Sequence, residues 1–361
     1  MTHPEHDRQV VGGVDTHGRT HHAAVIDQLG RHLADREFPA TAAGYRHLHA
    51  VLTAHGRQLA VGVEGTGAYG ADLARHLARE GVDVIDVDRP DRKTRRMKGK
   101  SDPIDAYAAA TAVASGRATG SPKTRTGTVE AIRVLRIARR SAVKARTQAI
   151  NQIRGLLVAA PAGVREPVAD LPRTALIRTL SRWRPGADLA DPTVATRAAL
   201  RRLARRHQAL DEEIADLDAE LAPLVRLSAP NLLEVFGAGI ETAGQLLTTA
   251  GDNPERMRSE AAFAHLAGVA PIPASSGRTH RHRLNRGGDR AANNALHTIV
   301  LVRMRHHAPT RAYIERRTRE GLSKKEIMRC LKRFVAREVY RALITEPPAQ
   351  TSRETAPSLA A

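Results

Sequence analysis

The sequence predicts an α/β domain at the N-terminus followed by a mainly all-α remainder. Three observations carry this. Residues 9–87 alternate short apolar runs with amphipathic stretches. Residues 129–158 and 193–225 hold long, unbroken helical periodicities. Past residue 229, apolar residues recur at helical spacing around glycine turns.

Gln9–Thr16 (QVVGGVDT) reads as a buried strand carrying Asp15 at its end. His21–Asp27 is a second strand after the His17-Gly18-Arg19 turn, and Gly30 leads into a more polar third strand near His32–Phe38. Tight turns join the three as an antiparallel meander. Thr41–His55 reads as a helix and Leu59–Glu64 as a strand, being too short for a helix. Ala68–Glu80 is a helix stopped by Gly81, and Val82–Val87 is a last strand. Strand–helix alternation after Thr41 predicts parallel pairing with right-handed crossovers. The order β-β-β-α-β-α-β, then a helix, is that of a ribonuclease-H-like domain.

The closing helix begins at Lys98-Gly-Lys-Ser-Asp102-Pro-Ile-Asp105-Ala106. Asp102 suits the N-cap and Pro103 the first helical position. Asp105 lies three residues along, on the same face. Taken alone, two such acids are explained by capping and the helix dipole. The strand order changes that, because it brings Asp15, Glu64, Asp102 and Asp105 to one edge. Four converging carboxylates repel unless a cation sits between them. Hard oxygen ligands suit Mg²⁺ or Mn²⁺, and two such ions roughly 3.5–4 Å apart would hold the attacking and leaving oxygens of a phosphodiester.

The chain has 361 residues, long enough for two or three domains. Its 57 basic against 38 acidic residues give a net charge of +19, which favours a polyanionic partner, nucleic acid first. Aromatics make up 3%, so phosphate contacts by Arg and Lys should outweigh base stacking. The single cysteine, Cys330, excludes an internal disulfide and a cysteine zinc site, and fits a reducing compartment. The N-terminus lacks an apolar signal core and no apolar run is long enough to span a membrane. The expected setting is the cytoplasm.

The cations cluster. Arg92, Lys93, Arg95, Arg96, Lys98 and Lys100 precede the Asp102 helix, where they would guide a phosphate backbone. The Val129–Val158 helix carries Arg136, Arg139 and Arg140 opposite its apolar face. The Thr193–Val225 helix has a heptad seam of leucines interrupted by His207, basic at its start and acidic later. Two such helices form a coiled-coil arm by pairing within one chain or between chains. The expected division is 1–120 for the α/β domain, 121–228 for the arm, 229–345 for a C-terminal domain, and 346–361 for a disordered tail.

In the last third, Gly237-Ala-Gly239 between helical stretches resembles a helix-hairpin-helix element, whose glycines let backbone approach phosphate, and is equally well read as a plain helix–helix turn. Ser275-Ser276-Gly277 then opens a turn or short hairpin bearing Arg278, Arg281, Arg283 and Arg286. A serine there needs activation before it can attack a phosphodiester. Read alone, this stretch is better explained by a serine-rich turn at a basic patch. Tyr313 and Tyr340 are other candidate nucleophiles, each in a helical stretch.

Gly13-Val-Asp15 with Ala24-Val-Ile-Asp27 resembles the first phosphate loop of actin-like ATPases and sugar kinases, but no second copy of that domain follows. A fuller resemblance runs nearly end to end. It covers those residues, Glu64-Gly-Thr66-Gly67-Ala-Tyr69, Lys100-Ser-Asp102-Pro-Ile-Asp105-Ala106, Gly237-Ala-Gly239, Leu266-Ala-Gly268-Val-Ala-Pro271, Ser276-Gly277, Arg286-Gly-Gly and Ala295-Leu-His297. Together these resemble the DEDD-type insertion-sequence transposases, insertion-sequence family one-hundred-ten. The resemblance implies a RuvC-like domain with Asp15, Glu64, Asp102 and Asp105 as Mg²⁺ ligands. It implies a serine nucleophile, Ser276, with Ser275 as the fallback. It also implies DNA partners (element ends and target), a structured bridge RNA that guides recombination, and a homo-oligomer between dimer and tetramer. The alternative reading is a hydrolytic, structure-selective RuvC-like nuclease of the junction-resolvase type, with water as nucleophile.

Overall fold

A computed structural model describes residues 8–87, 99, 101–278 and 282–345. Its contacts divide the chain into two units: the described residues of Met1–Gly127 with Ala250–Ala262, and of Thr128–Thr249 with 263–345. The segments expected as an arm and as a C-terminal domain thus fall largely in one unit. The expected tail, 346–361, and the cations Arg92, Lys93, Arg95, Arg96, Lys98, Lys100 and Arg281 lie outside the described residues.

The first unit is built on a five-stranded sheet of β1 (Gln9–Thr16), β2 (Thr20–Asp27), β3 (His32–Pro39), β4 (Arg57–Glu64) and β5 (Val84–Val87), in the order β3-β2-β1-β4-β5. The β1–β2 and β2–β3 pairs are antiparallel; β1–β4 and β4–β5 are parallel. That is the order and direction expected of a ribonuclease-H-like sheet.

Alternation along β1 sorts its residues between two faces. Val10 and Val14 join one cluster with Leu48 and Leu52 of α1 (Ala42–Ala54) and Leu73 and Leu77 of α2 (Ala71–Arg79). Val11 faces the other side, where Ile26 and Ala110 of α3 (Asp102–Ala114) pack against it. Gly13 shares that face, and its lack of a side chain lets α3 settle there. A β-carbon on Gly13 would stand 2.2 Å from the Ala106 carbonyl and 2.3 Å from the Ala110 nitrogen.

The unit also gathers a segment distant in sequence. Asp252 accepts from the backbone N–H groups of Thr126 (2.9 Å) and Gly127 (3.1 Å). Asn253 Nδ2 donates to Pro122 O, and Arg258 to Thr119 O. These bonds satisfy backbone groups of the irregular stretch after α3.

In the second unit, α4 (Thr128–Ala159) runs antiparallel along α6 (Pro192–Ser228), with α5 (Arg173–Arg182) between them in sequence. Arg139 pairs with Asp218 at 2.5 Å and Arg146 with Asp211 at 2.5 Å, which fixes direction and register. Ile150 and Ile153 of α4, Leu176, Ile177 and Leu180 of α5, and Leu200 of α6 form a common core. His207 is buried in the seam, as expected of a seam residue, with Nδ1 3.0 Å from Asp211 Oδ2. Burial pushes its imidazole below the usual range.

The C-terminal part of this unit contains α7 (Ile240–Ala250), α8 (Glu260–Leu266), the short hairpin β6 (Ile272–Pro273) and β7 (His282–Arg283), α9 (Arg290–His306), α10 (Ala308–Arg319) and α11 (Lys324–Ile344). α7 and α8 each carry residues on both sides of the division. Arg303 of α9, buried, spans to Glu338 of α11 at 2.6 and 2.9 Å and donates to Phe236 O.

Candidate metal centre and serine hairpin

The parallel register of β1 with β4 pairs Gly13 with Gly62 and Val14 with Val63. The next residue on each strand is acidic: Asp15 and Glu64. Both lie in step with a glycine that faces α3, since a β-carbon on Gly62 would also approach Ala109 O of α3. The two acids therefore stand on adjacent strand ends, on the face that α3 covers. Thr16 Oγ1 donates to Glu64 O at 2.7 Å and ties those strand ends together.

α3 brings two more acids from the other side. The structure corrects the expected cap. Ser101 takes the extended cap conformation (φ −153°, ψ 155°), and Asp102 is the first residue of the helix, with Pro103 after it. The Asp102 carboxylate instead faces His17, 3.4 Å from its Nε2. His17 Nε2 is also 3.2 Å from Asp15 Oδ2. Asp15, His17 and Asp102 each offer a ligand atom within 4.8 Å of the others, a spacing that one metal ion can bridge. Asp105, one turn along α3, is buried at 2% exposure.

The electrostatics match the crowding. Burial raises the Asp15 carboxyl above its usual range; His17 opposes the rise, and Asp105 and Asp102 add to it. Oxygen donors packed this way suit a hard divalent cation, whose charge would relieve the repulsion. His17 was not anticipated. It lies on the turn just past β1, two residues beyond Asp15, where strand alternation no longer sets direction.

The serine site belongs to the second unit. β6 and β7 pair antiparallel through Ile272 with Arg283 and Pro273 with His282. Ser275, Ser276 and Gly277 lie in the loop between them and are exposed, as are Arg278, Arg283 and Arg286. Gly268 and Gly288 secure the base of this loop. A β-carbon on Gly288 would lie 2.2 Å from Gly268 N, so the two backbones touch. Asp289 N–H then donates to Leu266 O at 2.6 Å, and its side chain caps α9. Tyr313 and Tyr340 lie on α10 and α11.

Two expected phosphate contacts are otherwise engaged. Arg136 forks to Glu241 at 2.8 and 3.0 Å and reaches Gln245, while Arg139 holds Asp218 and Glu241. Acidic partners on α6 and α7 take these guanidiniums, whereas Arg140 is exposed. Gly237 makes a positive-φ turn (87°) and Gly239 N–H donates to Thr242 Oγ1 at 3.0 Å, in the N-terminal turn of α7. The four-residue helix Pro230–Leu233 lies directly before this turn, one residue after the end of α6.

Residues 12–160 match the profile of a family described as transposase, of the DEDD type of IS110 elements. Residues 229–315 match the transposase IS116/IS110/IS902 family. An uncharacterised 42 kDa protein of insertion element IS900 from Mycobacterium paratuberculosis is 33% identical over 140 residues. That match covers 38% of this chain and 34% of the relative. A Streptomyces coelicolor protein described as a candidate mini-circle transposase for IS117 is 26% identical, over 74% of this chain and 78% of the relative. The chain thus spans about a third of the first relative's length and over three quarters of the second's.

Proposed function

This chain belongs to the IS110 family of DEDD transposases, and from that premise we propose that it cuts and rejoins DNA strands through a serine–DNA covalent intermediate. The observation that carries the proposal is the Asp15–His17–Asp102 group, set between a strand end and a helix start.

Asp15, Glu64, Asp102 and Asp105 would hold Mg²⁺ or Mn²⁺, with His17 beside them. A bound divalent ion supplies charge neutralisation and Lewis acidity at a phosphodiester. Ser276 supplies the nucleophile. Its Oγ–P bond forms as one P–O bond to a sugar breaks; the serine proton leaves to a base and the departing sugar oxygen gains one. Because no water enters, a free sugar hydroxyl can reverse the step on another strand, which is rejoining. Exposure of Ser276 on a cationic hairpin supports this role. Arg278, Arg283, Arg286 and Arg140 supply phosphate contacts. The guide RNA and a dimer-to-tetramer assembly come with the family resemblance and form part of the proposal.

The test is cleavage of element-end DNA. Ser276→Ala, or Ser275→Ala if the neighbour is used, should abolish cleavage and adduct together. The second reading, a hydrolytic RuvC-like nuclease, is favoured by the fact that the acidic group needs no serine. It predicts full cleavage by both serine variants. A non-catalytic nucleic-acid scaffold predicts that Asp102→Asn changes nothing.

Among the described residues no helix is long and apolar enough to cross a membrane.

A further inference from the structure

A groove of about 740 Å³ opens within the second unit, between the β6–β7 hairpin and α11. Arg283 and Leu284 stand on the hairpin side; Arg329, Lys332, Arg333 and Phe334 stand on the helix side. The three helix cations recur at three- and four-residue spacing, so they share one face of α11. The acid in the lining, Glu326, is engaged at the helix cap, where it accepts from Ser323 N–H at 2.9 Å and Ser323 Oγ at 2.6 Å. Lys332 is half-buried, and Asn293 Oδ1 accepts from its Nζ at 2.9 Å. Four cations therefore line a concave surface that holds one locally occupied carboxylate.

The lining is not uniformly polar. Leu284 is 51% exposed and Phe334 is 40% exposed, in a chain with four phenylalanines. Tyr313 holds the Phe334 ring edge-on at 5.6 Å between centroids. The Arg337 guanidinium lies over the same ring at 5.7 Å. Cations beside a fixed aromatic face form the lining of a single-strand channel, in which phosphates follow the charge and bases stack on the ring. A duplex keeps its base faces inside and makes no use of the Phe334 and Leu284 surfaces.

We propose that this groove binds single-stranded DNA, with phosphates on Arg283, Arg329 and Arg333 and a base against Phe334 and Leu284. The choice of DNA rests on the transposase reading. The hairpin that walls the groove also carries Ser276, so the strand held there is one that leads to the serine.

Cys330, the single cysteine of the chain, lines the groove and reports on it directly. The experiment measures the rate of maleimide labelling of Cys330 in the full chain, with and without oligothymidylate, while fluorescence anisotropy tracks saturation. The expected result is labelling slowed several-fold at saturation, with the protection reversed by salt. Arg283→Ala and Arg329→Ala, both at exposed positions, should abolish protection while circular dichroism is unchanged. Phe334→Ala should weaken protection by oligothymidylate. Ser276→Ala should retain it, so a failure of the serine chemistry leaves the groove standing. Unchanged labelling at saturation would overturn the proposal. Equal protection by duplex DNA, or stronger protection by oligouridylate, would overturn its assignment to a DNA single strand.

Discussion

His17 on the β1–β2 turn and Asp102 at the start of α3 meet at 3.4 Å, joining the end of the central strand to a helix terminus. The same imidazole lies 3.2 Å from Asp15. It thus occupies the space between two carboxylates, where a divalent cation would also be drawn. His17→Ala should weaken Mn²⁺ binding by about 10–100-fold, the usual effect of losing a group that orients metal ligands. Asp102→Asn should weaken it further. The readout is the rise in melting temperature as Mn²⁺ is titrated. An unchanged titration curve for His17→Ala would remove His17 from the site.

Gly13→Ala tests how closely α3 must approach the sheet. The added methyl would overlap the Ala106 carbonyl and the Ala110 amide, so the helix must shift outward. Overpacking of this kind costs about 1–3 kcal/mol. Thermal unfolding should show the loss, and strand cleavage should fall with it, because the same shift carries Asp102 away from Asp15.

Asp27 gives the first unit a predictable acid sensitivity. Burial raises its carboxyl, but the Arg31 and Leu29 backbone N–H groups and the Arg31 guanidinium outweigh that and hold it below its usual range. A depressed carboxylate stabilises the fold above its unfolded pKa of about 3.9, and the stabilisation is lost as pH falls through the folded value. Asp27→Asn should therefore melt earlier than the parent at pH 7. The two melting curves should converge below about pH 4.

Ser323 and Glu326 form a reciprocal cap at the start of α11, each side chain bonding the other residue's backbone N–H. Ser323→Ala should cost about 1 kcal/mol in urea unfolding. Glu326→Ala removes the partner bond, so the double variant should cost less than the sum of the single ones.

Much of the first unit was legible in its alternation. β1 to β5 were visible because short apolar runs between turns have few other readings, and their order set Asp15 and Glu64 on adjacent strand ends. The helix start was read one residue late, since Ser101 and Asp102 are both good caps and only the His17 contact separates them. The pairing of α4 with α6 was not determined, although the basic face of one and the acidic run of the other were both visible. Their register depends on Arg139–Asp218 and Arg146–Asp211, contacts between residues far apart in the chain. The first of these contacts also gives Arg139 an acidic partner that the sequence alone does not show. The return of residues 250–262 to the first unit had no local signal, because Asp252 and Asn253 look like ordinary turn residues until their partners at 122–127 are known.

The central claim is that a serine becomes joined to DNA with the acidic group's help. The most direct measurement is denaturing electrophoresis of the full chain after incubation with labelled element-end DNA, its guide RNA and Mg²⁺, followed by peptide mapping of any adduct. The account predicts a covalent protein–DNA species on the peptide bearing Ser276, absent in Ser276→Ala and in Asp102→Asn. Undiminished DNA cleavage by Ser276→Ala and Ser275→Ala, with no adduct in the parent protein, would contradict it.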